Sequence, residues 1–562
     1  MTPASRALLA ALTTLSCILP AGAASPHTTE APAGDGPLHE QVLAYLRGFK
    51  GVATDPLPAV HPRHTAFNAE APIPPQCYTK HDGRHNPCYV CHQNQVPGRE
   101  NAMNDGDLQV EYAFSDVGMS NHWENLFEDR TQAAAAISDA EILDWIDDDN
   151  YSALAPALRQ AGFEGWIPDL AQLERGAGAF DEHGFAKDGS HWVAFNYKPF
   201  PSTFWPTNGS TDDVMIRLPE AFRSDAEGRY SADVYKANLA IVEATVKGLP
   251  EISALPFDER RVGRDLDGDG QLGIASRVTQ LDAYVGGASK LFLDTYLYPK
   301  DTEFLHTVRY VGVREDGGIV PSRRMKEVRY MRKWTAYSKG VYARQYELGG
   351  FEKEAGALPR PTLLGDLGLD NGYGWSVQGF IEGVDGQLRT ATYEENLFCM
   401  GCHSSVGATI DKTFAFPRKV DGAAGWGYIN LRGMPDAPNV GETAGEIATY
   451  LARVGGGSEF RHNEEMAARW FRPDGSVDQA ALARASDVYE LITPSRERAL
   501  ALNKAYRTIV AAQDYLHGRD ATLVPPRNVH RHIDNETAQT LPLEYFRNWD
   551  IRLDWRQPAV AH

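Results

Sequence analysis

Two short cysteine motifs carry the clearest chemistry in this 562-residue chain. The first motif, positions 88–92, reads C-Y-V-C-H, and the second motif, positions 399–403, reads C-M-G-C-H. In each, two thiols stand one helical turn apart, so both can form thioethers with the vinyl groups of one haem. The adjacent histidine then lies beneath the iron as its proximal ligand. The motifs predict two covalently bound haem c groups, held by Cys88, Cys91, His92, Cys399, Cys402 and His403.

Three other uses of these cysteines compete with haem attachment. A redox-active C-x-x-C pair does not need the histidine that follows. A zinc site could use Cys77, Cys88, Cys91 and His92, and disulfides are allowed in an exported protein. Cys77 is left over by both motifs, and a buried free thiol is the favoured interpretation, with an intermolecular bridge or a haem ligand as alternatives.

The residues around the second motif resemble a class I cytochrome c domain between positions 393 and 454. Positions 393–398 match the short helix before the first cysteine, Gly433-Met434-Pro435 matches the methionine loop, and positions 441–452 match the closing helix. The resemblance implies that His403 is the proximal and Met434 the distal ligand of a six-coordinate iron. The whole chain resembles, more loosely, the diheme cytochrome c peroxidase and rubber oxygenase group.

The first motif has no such template, so only its proximal ligand, His92, is predicted. Met119 and His122 are the favoured distal ligands among five candidates. These five are His81, His85, Met103, Met119 and His122.

An acidic loop predicts a calcium site. Carboxylates at loop positions one, three and five can face one ion, and the glycine at position six permits the sharp turn. Position twelve is Ser276, where a glutamate is usual, so another carboxylate is needed or the affinity is low. The predicted ligands of this structural ion are Asp265, Asp267, Asp269 and Gln271.

The N-terminus predicts export to the periplasm. Arg6 precedes an apolar run that ends at the small residues 21–23, which is typical of a signal peptide. Cys17 could accept a lipid, but Leu15 stands one position from where a lipobox requires it, so no lipid anchor is expected. No later segment is apolar for long enough to cross a bilayer.

The charge balance restricts the partners. With 55 basic and 75 acidic residues the net charge is −20, which disfavours nucleic acid and anionic membranes. A basic periplasmic redox partner fits this surface, and the sequence does not specify an oligomeric state.

The apolar periodicity predicts a mainly α-helical fold with long irregular loops and a minor β component. Cytochrome c-like haem domains are expected to flank a large central segment. Helices are predicted at 131–146, 232–247 and 495–516, a strand at 304–311 with a turn at 317–318, and an amphipathic helix or a cationic wall at 324–345. The predicted divisions are a signal peptide (1–23), a leader (24–37), an N-terminal haem domain (38–190), a central segment (191–390), a second haem domain (391–460) and a helical extension (461–562).

Two functions are compatible with these features. One is a pure electron carrier or docking protein with two low-spin haems, and the other is a periplasmic diheme cytochrome that transfers electrons within a haem oxidoreductase. The long central segment favours the second, because haem domains alone need far fewer residues. Candidates for acid–base chemistry in such a pocket are His191, His306 and Arg309.

Overall fold

Stretches rich in β-branched and aromatic residues build the centre of the protein. The computed structural model describes residues 73–99, 102–114, 118–201, 204–355, 361–534 and 536–556. The predicted signal peptide, leader and Cys17 lie outside these residues. The strands are β1 (Val193–Ala194), β2 (Thr211–Arg217), β3 (Ile252–Asp258), β4 (Ile274–Val278), β5 (Glu303–Val313), β6 (Ile319–Arg332), β7 (Thr362–Leu363), β8 (Leu369–Asp370), β9 (Ser376–Glu382) and β10 (Leu388–Thr390).

Eight of these strands form one antiparallel sheet. Its order is β1-β2-β5-β6-β9-β8-β7, and β10 pairs with the free side of β9. The two longest strands, β5 and β6, form a hairpin whose turn contains Gly317 at φ 82°, a conformation that favours glycine. The remaining strands, β3 and β4, form a separate two-stranded sheet.

Most helices are short and lie around the sheet. The α-helices are α1 (Thr131–Ala135), α2 (Asp139–Asp147), α3 (Leu154–Gln160), α4 (Ala232–Lys247), α5 (Glu259–Val262), α6 (Lys339–Glu354), α7 (Tyr393–Leu397), α8 (Met400–His403), α9 (Ala415–Arg418), α10 (Glu446–Val454), α11 (Glu464–Trp470), α12 (Gln479–Leu482), α13 (Val488–Ile492) and α14 (Arg496–Ala512). Short 3-10 helices occupy Pro75–Tyr78, Cys88–Val90, Gly106–Gln109, Glu124–Phe127, Leu173–Ala179, Pro206–Asn208, Glu220–Arg223, Gly286–Ala288, Gly365–Leu367, Gly422–Gly425, Tyr515–His517 and Leu543–Tyr545. In the described part of the chain, no helix combines the length and apolar character needed to cross a membrane.

The sheet is covered on both faces. On β9, Phe380 packs into one core with α3 and Trp192, whereas its neighbour Ile381 packs into another core with α2 and α14. Successive residues of a strand point to opposite faces, so β9 packs into a core on each of its faces. All seven residues of this strand are buried.

Buried ion pairs cross the sheet. Arg309 on β5 is fully buried, and its guanidinium lies 3.0 Å from the Asp213 carboxylate on β2. On β6, Arg324 contacts Glu382 of β9 at 2.5 Å, and the pKa of that glutamate is raised to about 7 by burial. Charges can remain inside a protein when they are paired and hydrogen-bonded in this way.

The predicted mainly α-helical fold with flanking cytochrome c-like haem domains is wrong, because an eight-stranded sheet forms the centre. Strands buried on both faces lose the polar–apolar alternation that identifies them in a sequence. The basic stretch 324–345 is predicted as an amphipathic helix or a cationic wall, but it continues β6 to Arg332 and enters α6 only at Lys339. Arg324 and Lys333 are buried and paired with carboxylates, whereas Arg332 is exposed.

Other local predictions are confirmed. Helix α4 has the predicted bounds, α14 occupies most of the range predicted for it, and β5 contains the predicted strand with its turn. The described residues belong to one compact unit, and the domain divisions stay predictions.

Candidate functional site

The first motif forms one tight helical turn. Cys88 begins a 3-10 helix, and its carbonyl accepts hydrogen bonds from the amides of Cys91 at 3.2 Å and His92 at 3.0 Å. His81 lies beside this turn, with its Nε2 3.2 Å from the Cys88 Sγ. The turn therefore brings both thiols and the histidine together, as the spacing predicts.

The second motif repeats this local geometry. Helix α7 is capped by Thr392 and leads into α8, where the Cys399 carbonyl accepts the amides of Cys402 at 3.3 Å and His403 at 3.0 Å. The two motifs thus place their thiols and histidine on the same kind of turn, although they lie in different surroundings.

Each motif histidine is held through its Nδ1 atom. His92 Nδ1 lies 3.0 Å from the Asp105 Oδ2, and His403 Nδ1 lies 2.8 Å from the carbonyl oxygen of Lys412. Neither Nε2 has a hydrogen-bond partner among the residues that the structure describes. Metal-binding histidines characteristically donate one ring N–H to an oxygen and use the other nitrogen for the metal. Both side chains are oriented in that manner.

Asp105 joins the two motifs. Besides contacting His92, its carboxylate accepts the amide of Gln93 at 2.8 Å and that of Gly407, which follows the second motif, at 3.2 Å. The next amide, of Ala408, donates to the Cys91 carbonyl at 3.0 Å. The segment after His403 is therefore bonded directly to the first motif. Sequence reasoning missed Asp105, because no local pattern connects it with a histidine 13 residues earlier.

A buried turn holds the oxygen that contacts His403. Asp411 and Lys412 both adopt left-handed backbone angles, with φ of 48° and 64°. The Asp411 carboxylate is paired with Lys333 and accepts the Tyr342 hydroxyl at 2.5 Å. The Lys412 ammonium contacts the Tyr346 hydroxyl, and burial lowers the pKa of Lys412 to about 7. This turn positions the Lys412 carbonyl, and no sequence pattern indicates it.

The second motif lies near cationic and aromatic side chains of the sheet. The guanidiniums of Arg329 and Arg519 stand 5.9 Å and 4.8 Å from the ring centre of Phe398, which precedes the motif. Glu327 accepts hydrogen bonds from both arginines, at 2.9 Å and 3.0 Å. Two cations share one carboxylate here, so the cluster carries a net positive charge.

The last described residues of the chain enclose the first motif. The Trp549 indole donates to the Tyr89 carbonyl at 2.7 Å, and Asn86 donates to the Tyr545 carbonyl at 2.9 Å. Further upstream, the amide of His530 donates to the Tyr78 carbonyl at 2.8 Å. The first motif is therefore covered by residues more than 400 positions later.

None of the five cysteines in the described part of the chain forms a disulfide. Burial raises the pKa of Cys88 to about 12 and that of Cys402 to about 11. A redox-active C-x-x-C pair requires a lowered thiol pKa, so this environment is unsuited to dithiol exchange. Cys77 is partly buried and packs beside an apolar core cluster.

The five candidate distal ligands occupy different surroundings. His81 is buried against Tyr112, and His85 lies 3.0 Å from the Asp82 carboxylate. Met103 packs beside an apolar cluster, and the Met119 carbonyl accepts the amide of residue 533 at 2.8 Å. The ring of His122 is tilted against the indole of Trp123, with 4.2 Å between the ring centres. It is His81, and not the favoured Met119 or His122, whose ring contacts a cysteine of the first motif.

Met434 is buried, with its carbonyl accepting the amide of Val488 at 2.8 Å. The acid–base candidates are also dispersed. Arg309 forms an ion pair with Asp213, and the ring of His191 stacks on that of Tyr230. His306 lies on the sheet with its Nε2 3.4 Å from the Asp212 carboxylate. Burial lowers the pKa of His403 to about 4.

The acidic loop folds as predicted around its first residue. The Asp265 carboxylate accepts the amides of Gly268 at 2.7 Å and Gly270 at 2.9 Å. Glu259 on α5, which the sequence analysis missed, joins it: Glu259, Asp265 and Asp267 can offer oxygens within 4.8 Å of one another. Among the described residues no other such cluster of three potential ligands occurs. Asp269 and Gln271 lie outside this cluster, and Ser276 stands on β4.

Comparisons with known proteins point to a lipoprotein family. Residues 61–489 match a family described as “-like lipoprotein”. An uncharacterized lipoprotein of Aquifex aeolicus (strain VF5) is 33% identical over 514 aligned residues, which cover 81% of this chain and 86% of the relative. No solved structure matches the chain.

These matches overturn two expectations. The resemblance to class I cytochrome c and to the diheme peroxidase and rubber oxygenase group is wrong, because the family found is a lipoprotein family. The prediction that Met434 is a distal ligand rested on this resemblance, so that argument no longer applies. Export agrees with this family, whereas the expectation that a lipid anchor is absent conflicts with it.

Replacing Gly407 with alanine should weaken the contact between the motifs. A Cβ at this position would lie 2.2 Å from the Asp105 Oδ1 and 2.9 Å from the Gln93 carbonyl oxygen, both of which are buried. We expect Gly407→Ala to lower the free energy of unfolding by about 1–3 kcal/mol, measured by urea denaturation. Gly349→Ala is the control, because a Cβ there meets open space on α6. Equal midpoints for both variants and the wild type would contradict this close packing.

Calcium should stabilise the protein through the acidic loop. We expect Ca²⁺ to raise the melting temperature, because an ion that binds only the folded state at 100 times its Kd adds about 2.7 kcal/mol. Asp265→Asn should abolish the increase, measured by calorimetry with Ca²⁺ or a chelator. Asp474→Asn, in a turn where the carboxylate accepts only Ser476 donors, should retain it. A calcium response that survives Asp265→Asn would place the ion elsewhere.

Proposed function

The chain belongs to the “-like lipoprotein” family, and we propose that it is an exported lipoprotein that binds two haem c groups and transfers electrons in the periplasm. The observation that carries the proposal is the shared geometry of His92 and His403. Each ring follows two thiols on one helical turn, is fixed through Nδ1 by an oxygen, and keeps Nε2 for a metal.

The residues present fit haem c better than the alternatives. Cys88 and Cys91, like Cys399 and Cys402, are unpaired thiols held on one turn, which suits two thioether bonds to one porphyrin. A zinc site needs four converging ligands, and the described part of the chain brings no cysteine into a ligand cluster. Bound haem would supply a reversible one-electron couple.

The protein's own residues would orient and insulate such a group. Asp105 and the Lys412 carbonyl fix the two imidazoles, so each ring needs little reorganisation between oxidation states. At the second motif, Cys399 and Met400 are buried, which limits the access of water. The net charge of −20 favours a basic redox partner.

A lipid on Cys17 would tether this protein to a membrane. The residues before it, Thr14-Leu15-Ser16, end in the small residue that a lipobox requires, although its leucine is displaced by one position. Membership of a lipoprotein family supports acylation here over the alternative of cleavage after Ala23.

Haem attachment is tested by pyridine haemochrome analysis of protein matured in an exporting host with c-type haem machinery. We expect two haems per wild-type chain, and one after Cys88→Ala with Cys91→Ala or after Cys399→Ala with Cys402→Ala. Cys77→Ala is the control and should retain two, because Cys77 lies in neither motif. A wild-type count of zero would overturn the proposal.

Electron paramagnetic resonance of the same samples separates a carrier from a haem oxidoreductase. Two low-spin signals that do not change with cyanide indicate electron transfer alone. A high-spin, cyanide-sensitive signal indicates substrate chemistry, and it would direct attention to the pair formed by His306 and Asp212 beside the second motif.

Acylation is tested by labelling cells with a radioactive fatty acid and by separating membranes from the periplasmic fluid. We expect the wild type to be labelled and membrane-bound, and Cys17→Ala to lose the label and become extractable without detergent. Cys77→Ala should behave as the wild type. A Cys17→Ala variant that is still labelled would exclude this anchor.

A further inference from the structure

The two motif histidines are held by chemically different oxygens. His92 donates to the carboxylate of Asp105 at 3.0 Å, whereas His403 donates to the neutral peptide carbonyl of Lys412 at 2.8 Å. A carboxylate draws the Nδ1 proton more strongly, so the ring becomes a stronger electron donor toward a metal on its Nε2. A stronger donor stabilises the oxidised metal and lowers its reduction potential.

The Asp105 carboxylate is held in one position by three donors. Its side chain is only 4% exposed, and its two oxygens accept the amides of Gln93 and Gly407 in addition to His92. Hydrogen bonds that involve a carboxylate are stronger than those between neutral groups. A carboxylate oxygen is therefore fixed 3.0 Å from the ring of His92.

The surroundings of the second motif have the opposite sign. The cluster of Arg329, Arg519 and Glu327 carries one net positive charge and contacts Phe398, the residue before Cys399. A nearby positive charge favours the metal with the extra electron, and the interaction is strong where water is excluded. This cluster raises the reduction potential of a group bound at the second motif.

The two sites are also neighbours. The Cys91 carbonyl accepts the amide of Ala408, which follows His403 by five residues. Five residues span at most about 18 Å even when fully extended, so the first motif lies within that reach of His403. Groups attached at the two motifs are thus adjacent rather than in separate domains.

From this asymmetry we infer that a haem bound at the first motif would have the lower reduction potential of the two, and that Asp105 is the positioning residue that sets it. The inference rests on the proposed haem binding. It assigns different potentials to the two sites from the oxygen that each motif histidine faces.

The test is potentiometric titration of the haem-loaded wild type and of Asp105→Asn. The wild type should show two one-electron waves, and the lower one should be lost when Cys88 and Cys91 are both changed to alanine. In Asp105→Asn a neutral amide oxygen faces His92, as at the second motif, so the lower potential should rise by at least about 59 mV. For a one-electron couple, a shift of about 59 mV changes the equilibrium constant for electron exchange between the two sites tenfold.

Asp107→Asn is the matched control, because Asp107 is exposed two residues away and makes no contact with His92. It should leave both potentials unchanged, and Asp105→Glu should restore much of the lowered potential. An unchanged lower wave in Asp105→Asn, or loss of the higher wave on removing the first haem, overturns the inference.

The outcomes separate this inference from the proposed function. A wild-type haemochrome count below two defeats the proposal of a diheme protein before any potential is measured. A count of two with superimposed waves leaves haem binding intact and defeats the assigned asymmetry. If Asp105→Asn does not fold, the two wild-type waves and their assignment by the cysteine variants decide the question.

Discussion

The fold depends on pairing charges that are buried inside it. The central sheet contains arginines, lysines and carboxylates on strands whose two faces are both covered, and isolated charges there would be strongly destabilising. Arg309 with Asp213 joins two strands of the sheet, and Lys333 with Asp411 joins the sheet to the turn that precedes Thr413. Because that turn carries the oxygen facing His403, the same type of interaction that holds the sheet also orients the candidate site.

The parts of the fold that the sequence predicts are those governed by local physics. Helix α4 begins after a serine cap and ends at a glycine with left-handed angles, and both signals are visible in the sequence. The turns of the two cysteine motifs and the first part of the acidic loop are likewise local. The sheet was missed because β9 is buried on both faces and β6 carries charges that are neutralised by distant residues.

In the candidate site, too, the sequence predicts residues within a short motif but not the contacts made by residues far along the chain. The thiols and histidines could be identified from spacing, but the atoms that control them could not. The fold brings Asp105 into contact with His92, although the two residues share no local sequence pattern. Lys412 contributes a backbone oxygen, which any residue could supply. Glu259 precedes the acidic loop and approaches it only because α5 packs there. Met434 was assigned by resemblance to another family, and such an assignment is only as good as the resemblance.

The enclosure of the first motif by the end of the chain has a consequence for biogenesis. Tyr89 and Asn86 are hydrogen-bonded to residues that are synthesised 460 and 459 positions later. Until that later segment has been made, the surroundings of the first motif are incomplete. Cys88 and Cys91 are therefore less covered early in folding than in the folded protein, because of the order in which the two parts of the chain are synthesised.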